Sequence, residues 1–154
     1  MTSADGLSHM DLALHEGRAA AVRGEVPVGA VLVGPSGLVL AKAGNRTRAS
    51  NDPTAHAEIV VIREACAALG TERLTGCDLY VTLEPCPMCA SAISFARIRR
   101  VYFGASDPKG GGVEHGPRIF SQPTCHHTPE VYSGLGEAEA AALLRTFFAG
   151  RRSE

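Results

Sequence analysis

Between His9 and Arg23, apolar and small residues recur at helical spacing. Met10, Ala13, Leu14, Gly17, Ala20 and Ala21 share a face, which predicts an amphipathic helix stopped by Gly24. Val26 to Val33 is then β-rich, Pro35-Ser36-Gly37 has turn chemistry, and Leu38 to Ala41 returns as a second strand, predicting a hairpin. The polar, basic run from Asn45 to Asn51 reads as a loop. Asp52 or Thr54 is placed to cap the next helix, with Pro53 tolerated at its start. Ile59, Ile62, Cys66 and Leu69 mark that helix's apolar face, and Gly70 ends it. A strand is predicted over 78–83, a helix over 85–96, a strand over 100–104 and a last helix over 137–152. In the last helix, Leu143, Leu144, Phe147 and Phe148 are apolar. Glu137 and Glu139 near its start, and Arg151 and Arg152 near its end, suit the macrodipole.

After residue 54 strands alternate with helices, which predicts parallel pairing in an α/β domain. Residues 105–129 are Gly- and Pro-rich, and so long a loop inside a compact domain is usually functional or mobile. The chain has 154 residues, enough for one domain. Residues 1–8 read as a flexible N-terminal tail and 9–152 as a single domain. No apolar run reaches the ~18 residues of a membrane span, and the N-terminus has no basic start or hydrophobic signal core, so a cytoplasmic protein is expected. The net charge of -1 and pI of about 6.6 do not advertise nucleic-acid binding, so any basic surface must be local. Five cysteines are an odd count. In a reducing compartment a Cys-x-x-Cys points to metal or redox chemistry, with Cys66, Cys77 and Cys125 left as free thiols.

Two stretches carry chemistry: His56-Ala57-Glu58, and Pro85-Cys86-Pro87-Met88-Cys89. An imidazole and two thiolates are three good zinc ligands, the count of a catalytic site that keeps a fourth position for water. Cys86 and Cys89 share a face at a helix's first turn, where free N–H groups favour thiolates. His56 and Glu58 do not share a face, so both reach one ion only if it lies off the N-terminal end of their helix. Taken alone, the cysteines read equally as a redox dithiol, His56 as an ordinary histidine and Glu58 as a solvated acid; the combination is what is specific. Cys125-His126-His127 is metal-capable but has no partner at finger-like spacing, and reads as loop. A structural zinc site would fill the fourth position with Cys125, His126, His127, His115 or His9.

His-x-Glu followed by Pro-Cys-x-x-Cys is the pattern of zinc nucleobase deaminases. Replacing a ring amine by oxygen needs hydroxide at neutral pH, which zinc supplies by lowering water's pKa from ~15.7 to ~7. Glu58 is the candidate proton shuttle.

The resemblance extends further. Gly24 to Val31, Gly44-Asn45-Arg46, Asp52 to Glu58, Leu79 to Cys86, Arg97 to Val101, Gly104 with Asp107 and Lys109, and Phe147-Phe148 with Arg151-Arg152 are similar to bacterial tRNA-specific adenosine deaminases, of the cytidine deaminase-like superfamily. The similarity covers about residues 9–152. It implies a three-layer α/β/α fold with a mixed five-stranded sheet flanked by helices. It implies a cytoplasmic homodimer with one Zn2+ per subunit that converts the wobble adenosine of a tRNA anticodon arm to inosine. His56, Cys86 and Cys89 would be ligands and Glu58 the proton shuttle. Asn45 would bind the flipped base, Asp107 the adjoining nucleotide backbone, and Phe148 and Arg152 the anticodon loop. Arg97, Arg99 and Arg100 read as a phosphate patch or as solvated charge. The chain departs from the family's commoner pattern over 110–118, which is Gly-rich and acidic, and over 124–127. Two other readings stay open: a free-base or nucleoside deaminase acting on guanine or cytosine, and a non-catalytic zinc-stabilised RNA-binding module.

Overall fold

The computed structural model describes residues 7–152. Residues 1–6 of the expected tail lie outside the described residues. Ser8, placed in that tail by its sequence, instead caps the first helix, α1 (His9–Val22). Its hydroxyl accepts from the Asp11 N–H at 3.0 Å, and the Asp11 carboxylate accepts from the Ser8 N–H at 3.1 Å. This reciprocal capping box is worth about 1 kcal/mol.

The hairpin forms as β1 (Gly29–Val33) and β2 (Val39–Gly44), paired antiparallel. Then follow α2 (Ala57–Leu69), β3 (Asp78–Leu83), α3 (Pro87–Ala96) and β4 (Arg100–Ala105). A 3₁₀ turn at Ile119–Ser121, β5 (Glu130–Tyr132) and α4 (Glu137–Arg152) complete the chain. The five strands form one mixed sheet in the order β2-β1-β3-β4-β5. β1 and β3 are antiparallel, whereas β3–β4 and β4–β5 are parallel.

Alternation along the strands divides the core. Ala30 and Leu32 of β1, Leu79 and Val81 of β3, and Val101 and Phe103 of β4 pack with Ala57, Val61, Ala65, Ala90 and Ile93 of α2 and α3. On the other face Val31, Val33 and Ala105 pack with Met10, Ala13 and Leu14 of α1 and Ala140 of α4. β1 is buried on both faces, as the middle layer of an α/β/α sandwich must be. Burying side chains such as Phe103 or Leu79 contributes about 2–3 kcal/mol each.

Some local expectations need correction. Ile59 of α2 is buried as expected, together with Ala57, Val61 and Ala65, but Ile62 and Cys66 are half-buried and Leu69 is exposed. Small side chains face the sheet because the helix lies close against it. The N-cap of α2 is His56, not Asp52 or Thr54. The Asp52 carboxylate accepts instead from the Thr54 N–H and hydroxyl, in the turn before the helix. β5 was not located from the sequence. Its three residues expose both ends and half-bury only Val131.

Candidate metal centre and substrate pocket

The centre lies at the carboxyl ends of the parallel strands β3 and β4, the usual crevice of an open α/β sheet. β3 runs into Glu84, Pro85 and Cys86, and β4 runs into Asp107. His56 is the N-cap of α2 and Cys86 the N-cap of α3, and neither side chain makes a capping bond. Both are therefore free to turn towards the space between the two helix starts. The buried N–H of Ala57, which has no partner within the helix, is taken instead by the Asn45 side-chain oxygen at 2.8 Å. Pro87 has no N–H to satisfy at the first position of α3.

His56, Cys86 and Cys89 bring one ligand atom each to within 4.8 Å of one another. His56 Nδ1 is 3.6 Å from Cys86 Sγ and 3.5 Å from Cys89 Sγ. One imidazole proton cannot serve two sulfurs equally, so a shared hydrogen bond does not explain near-equal distances. Bonds of ~2.05 Å to nitrogen and ~2.3 Å to sulfur at a tetrahedral angle place N and S about 3.55 Å apart. The donor set therefore fits one zinc ion, with no fourth protein ligand in the cluster among the described residues.

Electrostatics follow from this packing. Cys86 is pulled down to about 4, first by the Cys89 thiol bonded to its sulfur and then by His56. Cys89 is pushed up because its proton serves Cys86 and because it is buried. The His56 imidazole is raised by its contact with Cys86. Glu58, the second residue of α2, is 4% exposed, and burial lifts its carboxyl to about 7.

A cavity of about 280 Å³ opens beside these groups. His56, Glu58 and Cys86 form part of its wall, with Val28, Asn45 and Leu83. Because the oxygen of Asn45 is held by Ala57, its amide nitrogen is the atom left to donate into the cavity. A second cavity of about 480 Å³ shares Val26, Leu83, Asp107 and Gly110 with the first and continues to Leu144 and Phe148. Phe148 is 44% exposed, whereas Phe147 packs edge-on to it and lies under Arg151. Asp107 stands on the rim, but its Oδ1 accepts from the N–H groups of Lys109 and Gly110 and so shapes its own turn. The Arg152 side chain lies outside the described residues.

Two groups at this site were not legible in sequence. The first is Glu84, whose side chain is fully buried. Its carboxylate accepts from the N–H groups of Asp107, Val113, Glu114 and His115, and from His115 Nδ1 at 2.8 Å. It gathers the Gly-rich loop against the pocket. A Cβ on Gly111 would collide with this carboxylate, and one on Gly112 would come 2.5 Å from Pro87 N. The glycines that distinguish this chain are thus required by close approach. The second group is Glu25, which pins the other rim by accepting from Thr47 Oγ1 and from the N–H groups of Arg48 and Ala49.

Elsewhere, Cys66, Cys77 and Cys125 are free thiols. Cys125 contacts the Ser94 hydroxyl and the His127 carbonyl, and His127 Nε2 bonds the Ile98 carbonyl, so this trio ties down its loop. Arg99 and Arg100 pair with Asp78 and Glu130, so neither is simply solvated charge.

Comparisons with known proteins agree with this geometry. The family model described as the cytidine and deoxycytidylate deaminase zinc-binding region matches residues 4–105. The tRNA-specific adenosine deaminase of Agrobacterium fabrum (strain C58) is 69% identical over 143 residues, 93% of each chain. A structure solved in a study of A-to-I editing by tRNA:A34 deaminases superposes with a TM-score of 0.87 at 70% identity, covering 88% of this chain and 98% of that one. A guanine deaminase from Nitrosomonas europaea superposes at 0.79 with 25% identity, over 97% of this chain and 86% of that one.

Proposed function

Because this chain belongs to the cytidine and deoxycytidylate deaminase family, among its tRNA-specific adenosine deaminases, we propose that it hydrolyses the wobble adenosine of a tRNA anticodon to inosine, releasing ammonia. Zinc is its cofactor and tRNA its substrate. The observation that carries the reading is a single wall of one cavity where His56, Cys86 and the buried Glu58 meet.

We assign the zinc to His56, Cys86 and Cys89. Bound zinc supplies the Lewis acidity that makes water a nucleophile near neutral pH. Glu58 then moves protons. Its carboxylate would take one proton from the attacking water and pass it to the ring nitrogen beside the reacting carbon, then take the second from the hydroxyl so added to that carbon and deliver it to the amine, which leaves as ammonia. A buried carboxyl beside the reacting groups can accept and return a proton at each step without leaving the site. The Asn45 amide nitrogen donates to the flipped base, fixed by its bond to Ala57. Asp107 and Phe148 line the continuation of the cavity, where the neighbouring nucleotides would run; Arg152 is assigned to the anticodon loop on the family resemblance alone. Asp107, being anionic, suits a sugar hydroxyl better than a phosphate. The protein acts as a cytoplasmic homodimer whose residues 9–152 form one deaminase domain. No described helix is long and apolar enough to cross a membrane.

Incubation with an unmodified anticodon stem-loop carrying wobble adenosine, and separately with free guanine, tests the substrate. Inosine in the first reaction is expected. Xanthine in the second, without inosine in the first, would move the reading to the guanine deaminases that share the fold. Neither product would leave the non-catalytic RNA-binding module.

A further inference from the structure

Three arginines distant in sequence donate to two backbone carbonyls, those of Gly24 and Asn45, beside the pocket. Arg23 donates from Nη2 to the Asn45 carbonyl at 3.2 Å, and Asn45 is a pocket residue. Arg48 donates from Nη1 to the Gly24 carbonyl at 3.2 Å, and Arg151 donates from Nη2 to the same oxygen at 2.6 Å. Gly24 has a φ of +84°, a left-handed conformation that lets its carbonyl serve two guanidinium groups. Arg151 also stacks on Phe147, 4.7 Å from the ring centroid, one helical turn from Phe148 of the second cavity.

The charge balance is unusual. Among the described residues, arginines within ion-pair distance of a carboxylate are Arg18, Arg63, Arg73, Arg99 and Arg100. Arg23, Arg48 and Arg151 are not among them. The nearby acid is Glu25, whose carboxylate is buried and committed to Thr47 and the N–H groups of Arg48 and Ala49. Three cations held by neutral carbonyls over one buried anion leave a net positive site. Each guanidinium has five N–H donors, of which these bonds use one. Arg23 and Arg48 are exposed and Arg151 half-buried, so the remaining donors are open to solvent.

We propose that Arg23, Arg48 and Arg151 form a phosphate-binding site that grips the RNA backbone beside the flipped nucleotide. The site rests on the tRNA reading above and adds to it a specific anchor on the Gly24–Asn45 side of the pocket. It also answers how a chain of net charge -1 binds a polyanion. The positive surface is local, while the basic residues at Arg99 and Arg100 are neutralised by their own acids. Planar guanidinium forks suit phosphate oxygens, and the carbonyls orient them before the RNA arrives.

The test is binding of a stem-loop carrying inosine at the wobble position, followed by fluorescence anisotropy across a salt series. Wild-type protein should show a steep fall of log affinity with log salt. Arg48→Ala and Arg23→Ala should each weaken binding about fivefold at ~0.1 M salt and reduce the slope by about 0.7, the value of one single-strand phosphate contact. Arg48→Lys should recover most of the slope, because it keeps the charge and loses only the fork. Arg99→Ala should bind as wild type. An unchanged slope in the Arg23→Ala/Arg48→Ala double variant, with wild type still steep, would overturn the phosphate site and leave the tRNA reading standing. A flat wild-type response would overturn both.

Discussion

Glu58 and Glu84 are carboxylic acids 4% and 2% exposed, one in the first turn of α2 and one two residues before Cys86 in the chain. Burial pushes both up. In Glu58 burial, helped by the Cys86 sulfur, outweighs its own backbone N–H, the His56 charge and the Cys89 thiol, and the carboxyl rests at about 7. In Glu84 the Asp107 N–H, the His115 ring and the N–H groups of Glu114 and Val113 outweigh burial and hold the carboxyl below its ordinary value. The same side chain, shut off from the surface in both places, becomes a proton carrier in one and an anion in the other. Two things differ: Glu58 lies deeper in the protein, and Glu84 receives four backbone N–H groups and an imidazole. A carboxylate that does chemistry must be left short of partners; one that holds a loop must be saturated with them.

Exchanging the charge at each position should separate the two roles. Glu84→Gln turns an amide group towards N–H donors that need an acceptor. It should cost about 3 kcal/mol of stability, read from the denaturation midpoint at constant m-value. Glu58→Gln should not destabilise, since it replaces a neutral or strained anion by a neutral amide. If the two cost the same, the contrast between them is wrong.

The pH dependence of the metal-free protein should differ in the same sense. Glu58 is raised in the folded state. Its contribution is therefore fully present below its unfolded value of 4.5 and is lost as pH rises through about 7. The shift weighs roughly 3 kcal/mol at most. The difference in stability between wild type and Glu58→Gln should move in favour of the variant across that window. Glu84 is lowered, so its contribution is present above its unfolded value and disappears as acid protonates the folded carboxylate. Glu84→Gln should flatten the acid limb and leave the window near 7 alone. A smaller effect is expected at His115, whose ring still sees solvent. His115→Ala should cost about 1 kcal/mol and speed amide exchange over residues 107–115.

The difference between the two acids also explains what sequence could reveal. His56, Glu58, Cys86 and Cys89 lie in two short stretches whose helix-start positions are set locally by a loop and by Pro85 and Pro87. Their convergence follows from two such starts on neighbouring strand ends. α1, the β1–β2 hairpin and α4 are legible for the same reason, because periodicity and caps are local. Glu84 is not legible, since its partners arrive from a loop about 25 residues on, and only the collision geometry of Gly111 and Gly112 shows why that loop carries glycine. Asn45 capping α2, and Arg23 with Arg48 and Arg151, are contacts across the chain with no local signature. The Ala57, Val61 and Ala65 stripe was missed because hydrophobicity points to the larger Ile62 and Leu69, whereas close packing on the sheet selects small side chains. β5 was missed because three residues with one half-buried side chain carry too little alternation.

The account stands most directly on turnover by Glu58→Ala, measured as inosine formed in a wobble-adenosine stem-loop alongside zinc per subunit. Zinc at the wild-type level with kcat lower by about 10²–10⁴-fold is the predicted result. Zinc at that level with kcat within a few-fold of wild type would contradict it, and the proton carrier would have to be another group.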